Sequence, residues 1–234
     1  MAFVFTAGIV FVEKDNITVF APEGPKAIYS VNTEHKQIAL TFDISWGEER
    51  PGPILDILEK YSLQGKVTFF LSSPWSQDHP DIVKRIADAG YEVGSHGHKH
   101  VNYSKLSNEE IENQILKAHD ILSNLTNQEP KLIRTPNGDF DQRVLKIADN
   151  LGYTVIQWDT DSKDWMNPGV NQIVSRVIEN VHPGDIILMH ASDTCKQTHE
   201  ALPIIISTLK QAGYEFVTVS QLISDSKIQS SEIN

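Results

Sequence analysis

In LTFDISWG (40–47) an apolar run ends in one carboxylate, Asp43, and the next residue is Ile44. A carboxylate at the end of a buried strand can work as a base or a metal ligand if other polar groups converge on it. GSHGHKH (94–100) supplies three histidines, and imidazole is a common ligand for zinc and similar ions. His96 and His100 suit one face of a helical turn, whereas His96 and His98 suit one face of a strand. A polar surface loop with incidental histidines would have the same composition. Arg134 in KLIRTP, Asp159 or Asp161 in QWDTDSKDW, and His190 in IILMHAS complete the polar residues at the ends of apolar runs.

Those residues need elements to hold them. Lengths of chain rich in β-branched and aromatic residues predict strands at 37–43, 66–73, 131–136 and 185–192. Three further stretches, 81–96, 143–159 and 205–220, share one plan: apolar residues at helical spacing, then Gly-Tyr, then a short β-branched run. Gly90, Gly152 and Gly213 stand where a helix should end, because glycine adopts the left-handed conformation cheaply. Further helices are expected over 53–61 and from Ser107. The latter has a capping box, Ser107 with Glu110, and an apolar stripe at Ile111, Ile115, Ala118, Leu122 and Leu125. About seven strands alternating with helices imply parallel pairing, so the expected fold is α/β, a single (β/α) barrel of distorted TIM type. In such a barrel the C-terminal strand ends meet at one face, and Asp43, His96, Arg134, Asp159 or Asp161, and His190 all fall there.

The bulk properties agree with one domain. The chain has 234 residues, 40% of them hydrophobic, enough for one sizeable core. A net charge of -11 with no Lys/Arg block argues against nucleic acid as a partner. The single cysteine, Cys195, excludes an intramolecular disulfide and a multi-cysteine metal site, and reads as a thiol in a loop. Residues 1–34 form a lead-in. Within it, Ala2–Val12 is apolar but shorter than the roughly 20 residues that span a bilayer. It reads either as a first strand or as the remnant of a longer export signal or anchor. Residues 35–224 form the folded domain and 225–234 a polar tail.

Five motifs in order give the chain a resemblance over roughly Lys36 to Ile223. It resembles the polysaccharide deacetylases of the NodB-homology type, carbohydrate esterase family four. TFDI stands for the family's TFDD, HGHKH for H-[S/T]-x-x-H, RTPNG for RPPYG, DSKDW for D-S-x-D-W and LMH for L-x-H. The wording around TFDISWG is most similar to the PdaB-like sporulation branch of that family. The resemblance implies an exported protein of the cell wall or spore envelope. It implies removal of N-acetyl groups from a glycan polymer, with peptidoglycan favoured over chitin, by a protein acting as a monomer.

The resemblance also implies roles. Asp43 would be the general base and Arg134 the cation that holds it, which favours its ionised form. His96 and His100 would ligate a divalent metal, zinc or else cobalt, that polarises the acetamide carbonyl. His190 would be the general acid and Asp161 the carboxylate behind its imidazole. The backbone N–H of Asn137 would serve the oxyanion, and Leu188 and Trp165 would line the acetyl pocket. Trp46, Trp75, Tyr103 and Trp165 are the candidate sugar-stacking aromatics.

The departure lies at Ile44, where the family has its carboxylate metal ligand. Two histidines make an open site, since catalytic zinc has three protein ligands as a rule. His98 or Asp43 could complete the shell, the metal could bind loosely, or the protein could bind glycan without hydrolysing it. Gly97 and Asn137 also depart from the pattern. A different metal-dependent amidohydrolase, using His96 with His98, is a further alternative.

Overall fold

A computed structural model describes residues 24–232; the apolar stretch Ala2–Val12 lies outside them. Parallel strands form the centre: β1 (Gln37–Ile44), β2 (Thr68–Leu71), β3 (Glu92–Ser95), β4 (Leu132–Ile133), β5 (Thr154–Val155), β6 (Thr160–Asp161), β7 (Ile186–His190) and β8 (Glu215–Phe216). Seven of them lie in the order β5-β4-β3-β2-β1-β7-β6, and β8 pairs with the start of β1. This is the expected curled (β/α) barrel.

One stretch behaves differently from its sequence reading. The run 153–159 is not one strand. After β5 the chain leaves one edge of the sheet and rejoins it as β6 at the other, without an intervening helix. Residues 28–31 reinforce this seam. The Ile28 N–H donates to Val155 O (2.9 Å), Gln157 N–H donates to Ile28 O (2.8 Å), and Val31 N–H donates to Gly184 O (2.9 Å).

Strand β1 shows why the barrel has two sides. Ile38, Leu40, Phe42 and Ile44 point outward into the main core, packed with residues of α1 (Pro51–Lys60), α3 (Pro80–Asp88), α6 (Val170–Asn180) and α7 (Thr198–Gln211). The alternate residues face inward: Ala39 joins a second apolar cluster with Phe70, Leu132, Ile156 and Ile186, while Thr41 and Asp43 meet polar partners. The two-residue period thus puts Ile44 and Asp43 on opposite faces of one strand.

The predicted helix–glycine–strand units all form: α3 leads to β3, α5 (Gln142–Asn150) to β5, and α7 to β8. Gly90, Gly152 and Gly213 have φ of 74°, 75° and 84°. The capping box closes α4 (Asn108–Thr126): Glu110 N–H donates to Ser107 Oγ, and Ser107 N–H to Glu110 Oε2 at 2.8 Å. A short helix α2 (Ser73–Asp78) follows β2, and α8 (Val219–Glu232) carries regular structure into the segment read as a polar tail. No helix among the described residues is long and apolar enough to cross a membrane.

Candidate active site

Asp43, at the C-terminal end of β1, is held by the Arg134 guanidinium, which reaches it from beyond β4. Arg134 Nη1 donates to Asp43 Oδ1 (2.8 Å) and to Thr41 Oγ1 (2.8 Å), and Nη2 donates to the Gln157 carbonyl (2.9 Å). The guanidinium lies over the Phe70 ring at 4.2 Å and is wholly buried. Burial by itself would raise the Asp43 carboxyl. The charge of Arg134, aided by His96 and His190, outweighs it and holds the carboxyl below its ordinary value.

His96, just past β3, has its Nδ1 2.8 Å from the Arg134 carbonyl. A carbonyl only accepts, so Nδ1 carries the proton and Nε2 keeps a free lone pair, 4.0 Å from Asp43 Oδ2. Burial, only partly opposed by Asp43, pulls the imidazole down to about 4, so it is neutral at ordinary pH. The His100 ring stands beside it at 5.5 Å between centroids. His98 is turned away, its Nδ1 2.9 Å from Ser73 Oγ.

His190 ends β7 opposite Asp43, with which it shares a register position. The carboxylate behind it is Asp164 rather than Asp161. His190 Nδ1–H donates to Asp164 Oδ1 (2.7 Å), and Asp164 Oδ2 accepts from the His190 N–H (2.8 Å) and Thr198 Oγ1 (2.7 Å). Asp161 instead accepts the Lys163 N–H at 2.8 Å and stands on the cavity wall. The cause is local: Lys163 takes a left-handed φ of 54°, and the tight turn Asp164–Met166 swings the second aspartate of DSKDW inward. Burial would lower His190, but the Asp164 charge and hydrogen bond more than offset it and raise its pKa.

Asp43, His96, His100, Asp161 and His190 line one cavity of about 510 Å³ with Asn137, Trp158, Trp165, Leu188 and Cys195. Asn137 has φ 59° in the turn Pro136–Gly138, its side chain donating to Asn102 Oδ1 at 2.7 Å. Gly97 also has an explanation: at φ 77°, a Cβ there would sit 2.2 Å from the Tyr103 hydroxyl. Trp75 and Tyr103 are core residues, at 4% and 0% exposure, so of the four candidate aromatics Trp46 and Trp165 alone remain open. Trp158 was not foreseen: it stands beside the aspartate motif but outside it, and only folding sets it against Arg134. Nor was Cys195, which is buried at the cavity and has Sγ within 4.8 Å of ligand atoms of Asp164 and His190. Burial, and next the Asp164 charge, push that thiol up to about 12, so it stays protonated, and Asp164 is already committed to its hydrogen bonds. Asp164 is the group that orients the imidazole, and Cys195 stands beside the pair.

The donor set at His96 and His100 fits a divalent metal in its chemistry: a neutral imidazole with its outer nitrogen locked and its inner lone pair free, a second imidazole beside it, and Asp43 Oδ2 4.0 Å from the first. With Asp43 kept as the base, the two imidazoles leave the shell one protein ligand short. Ile44, at 0% exposure within the outward-facing core, contributes nothing to the cavity.

Residues 30–156 match the polysaccharide deacetylase family. A Bacillus cereus peptidoglycan-N-acetylglucosamine deacetylase is 37% identical, covering 83% of this chain and 92% of its own. Bacillus subtilis YlxY, an uncharacterized protein, is 32% identical over 87% of this chain, which spans only 62% of YlxY. Among solved structures, the Bacillus anthracis protein BA3943, a CE4 family pseudoenzyme, superimposes with a TM-score of 0.80 at 36% identity, covering 85% of this chain and 69% of its own. A mutant of BA3943 is described as having restored enzymatic activity. On its matched motifs, its barrel and these relatives, the chain belongs to the polysaccharide deacetylase family.

Proposed function

We propose that the protein removes N-acetyl groups from a cell-wall glycan, with peptidoglycan strands as the substrate class, in the cell wall or spore envelope of a sporulating cell. The observation that carries this reading is a matched pair of oppositely tuned groups at one cavity. Arg134 holds the Asp43 carboxyl below its ordinary value, and Asp164 raises the hold of His190 on its proton. A base and an acid whose environments push their protonation states apart are what amide hydrolysis needs at one pH. Peptidoglycan deacetylases among the relatives support the substrate class.

In this reading Asp43 accepts the proton of the attacking water while Arg134 holds the carboxylate in place. The backbone N–H of Asn137 donates to the carbonyl oxygen as it gains charge. His190 delivers its Nε2 proton to the departing amine, and Asp164 stabilises the imidazolium beforehand. Leu188 and Trp165 bound the space for the acetyl methyl. His96 and His100, with Asp43 Oδ2 beside them, would hold a divalent ion, zinc or cobalt, which polarises the carbonyl when bound.

Acetate release from N-acetylated glycan strands, with zinc or cobalt and beside Asp43→Asn, tests the proposal. Metal-dependent release abolished in the variant is expected, a loss of at least about 100-fold. One observation favours a second reading, glycan binding without turnover: the burial of Ile44 where the family has a ligand. Glycan binding with no release from either protein would establish it.

A further inference from the structure

A second cavity, of about 820 Å³, adjoins the first and shares Ser45, Trp46 and His100 with it. Trp46 stands between the two and is 69% exposed, more than any other large apolar side chain among the described residues. An open indole is costly in water, and this one is not on a loose loop. The Asp193 N–H donates to Trp46 O (3.0 Å), Trp75 Nε1–H donates to Gly47 O (2.6 Å), and Ser45 N–H donates to Ser192 Oγ (3.1 Å). The Asp193 carboxylate then takes the N–H groups of Glu48, Glu49 and Arg50, at 3.0, 2.9 and 2.9 Å. Five of the polar contacts that pin this loop therefore come from the segment after β7, on the far side of the cavity mouth.

We infer that the second cavity is a sugar subsite and that Trp46 is its stacking platform, a specificity-determining residue for linear glycan. This rests on the reading that the first cavity takes an N-acetylated sugar. A rigid, exposed aromatic face between two adjoining cavities suits the apolar face of a pyranose ring, and a polymer passing over it would engage both cavities at once. The walls of the second cavity carry Glu48, Glu49, Asp78 and Asp193 against Lys99. The unit seated there is accordingly uncharged or amine-bearing, not one with a carboxylate.

Binding of N-acetylglucosamine oligomers to the whole chain, read by calorimetry and so independent of acetate release, tests this. The wild type should bind a pentamer at least about tenfold more tightly than a dimer, and Trp46→Ala should lose that preference, weakening the pentamer far more than the dimer. A glucosamine pentamer should compete with the N-acetylated one. Equal pentamer affinity in wild type and Trp46→Ala, with thermal melting unchanged, overturns the subsite and leaves the glycan reading intact. No binding of any oligomer to the wild type overturns both. Trp46→Phe, which keeps an aromatic face, should retain most of the length preference; its failure to do so, with an intact melt, would assign the tryptophan a loop-holding role instead.

Discussion

At the scale of single residues, the site is a set of charges placed where burial and partners act against each other. His190 shows the consequence for pH. Its pKa is raised above 6.5, so the folded protein holds that proton more tightly than the unfolded chain does. The resulting stability is fully present below about 6.5 and is lost as pH rises through the native value. Asp164→Asn removes the cause. The difference in unfolding free energy between wild type and variant should therefore shrink as pH is raised from about 6 to about 9, with urea unfolding as the measure. A pH-independent difference would mean that Asp164 acts on His190 only through geometry. Ile44 makes the opposite case. Ile44→Asp would place a carboxylate on the outward, apolar face of β1, at a cost of about 3–5 kcal/mol if it stays there unpaired. If β1 can instead twist its end to bring that carboxylate to His96 and His100, zinc should raise the melting temperature of the variant more than that of the wild type. Equal zinc shifts in both would show that this position has no access to the metal ligands.

At the scale of elements, what could be read in advance was what is local. The three helix–glycine–strand units and the capping box of α4 depend on residues within one turn of each other, and all four formed as expected. Asp43, His96, Arg134 and His190 were legible because a parallel barrel brings strand ends together whatever the details. The choice between Asp161 and Asp164 was not, because it turns on the left-handed φ of one lysine. The seam was equally hidden: the pairing of residues 28–31 with chain more than a hundred residues away has no local signature. Gly184 makes that pairing testable. Its φ is 81°, and a Cβ there would stand 2.0 Å from the Val31 carbonyl oxygen. Gly184→Ala should push residues 28–31 off the seam and cost about 2 kcal/mol or more, seen as faster amide exchange at Ile28 and Val31 with exchange in β1 and β2 little changed. Uniform acceleration across the barrel would mean that the strap is part of the global folding unit.

At the scale of the whole molecule, the charges divide into two populations. The net charge of -11 comes from an excess of carboxylates, several of them well exposed, whereas the Asp43–Arg134 pair is enclosed, with Arg134 at 0% exposure. Salt acts on the first population and hardly on the second, since screening over about 10 Å at 0.1 M reaches only solvent-exposed charges. An acidic surface repels anionic polymers at long range but exerts no such force on an uncharged glycan. Raising salt from about 0.05 to about 0.5 M should therefore leave the affinity for a neutral N-acetylglucosamine oligomer within about twofold, while any affinity for glycan carrying free carboxylates should rise. Calorimetry on both ligands at the two salt concentrations distinguishes the cases. If the neutral oligomer loses its affinity in step with salt, an exposed charge contacts it directly, and the walls of the second cavity are where that charge lies.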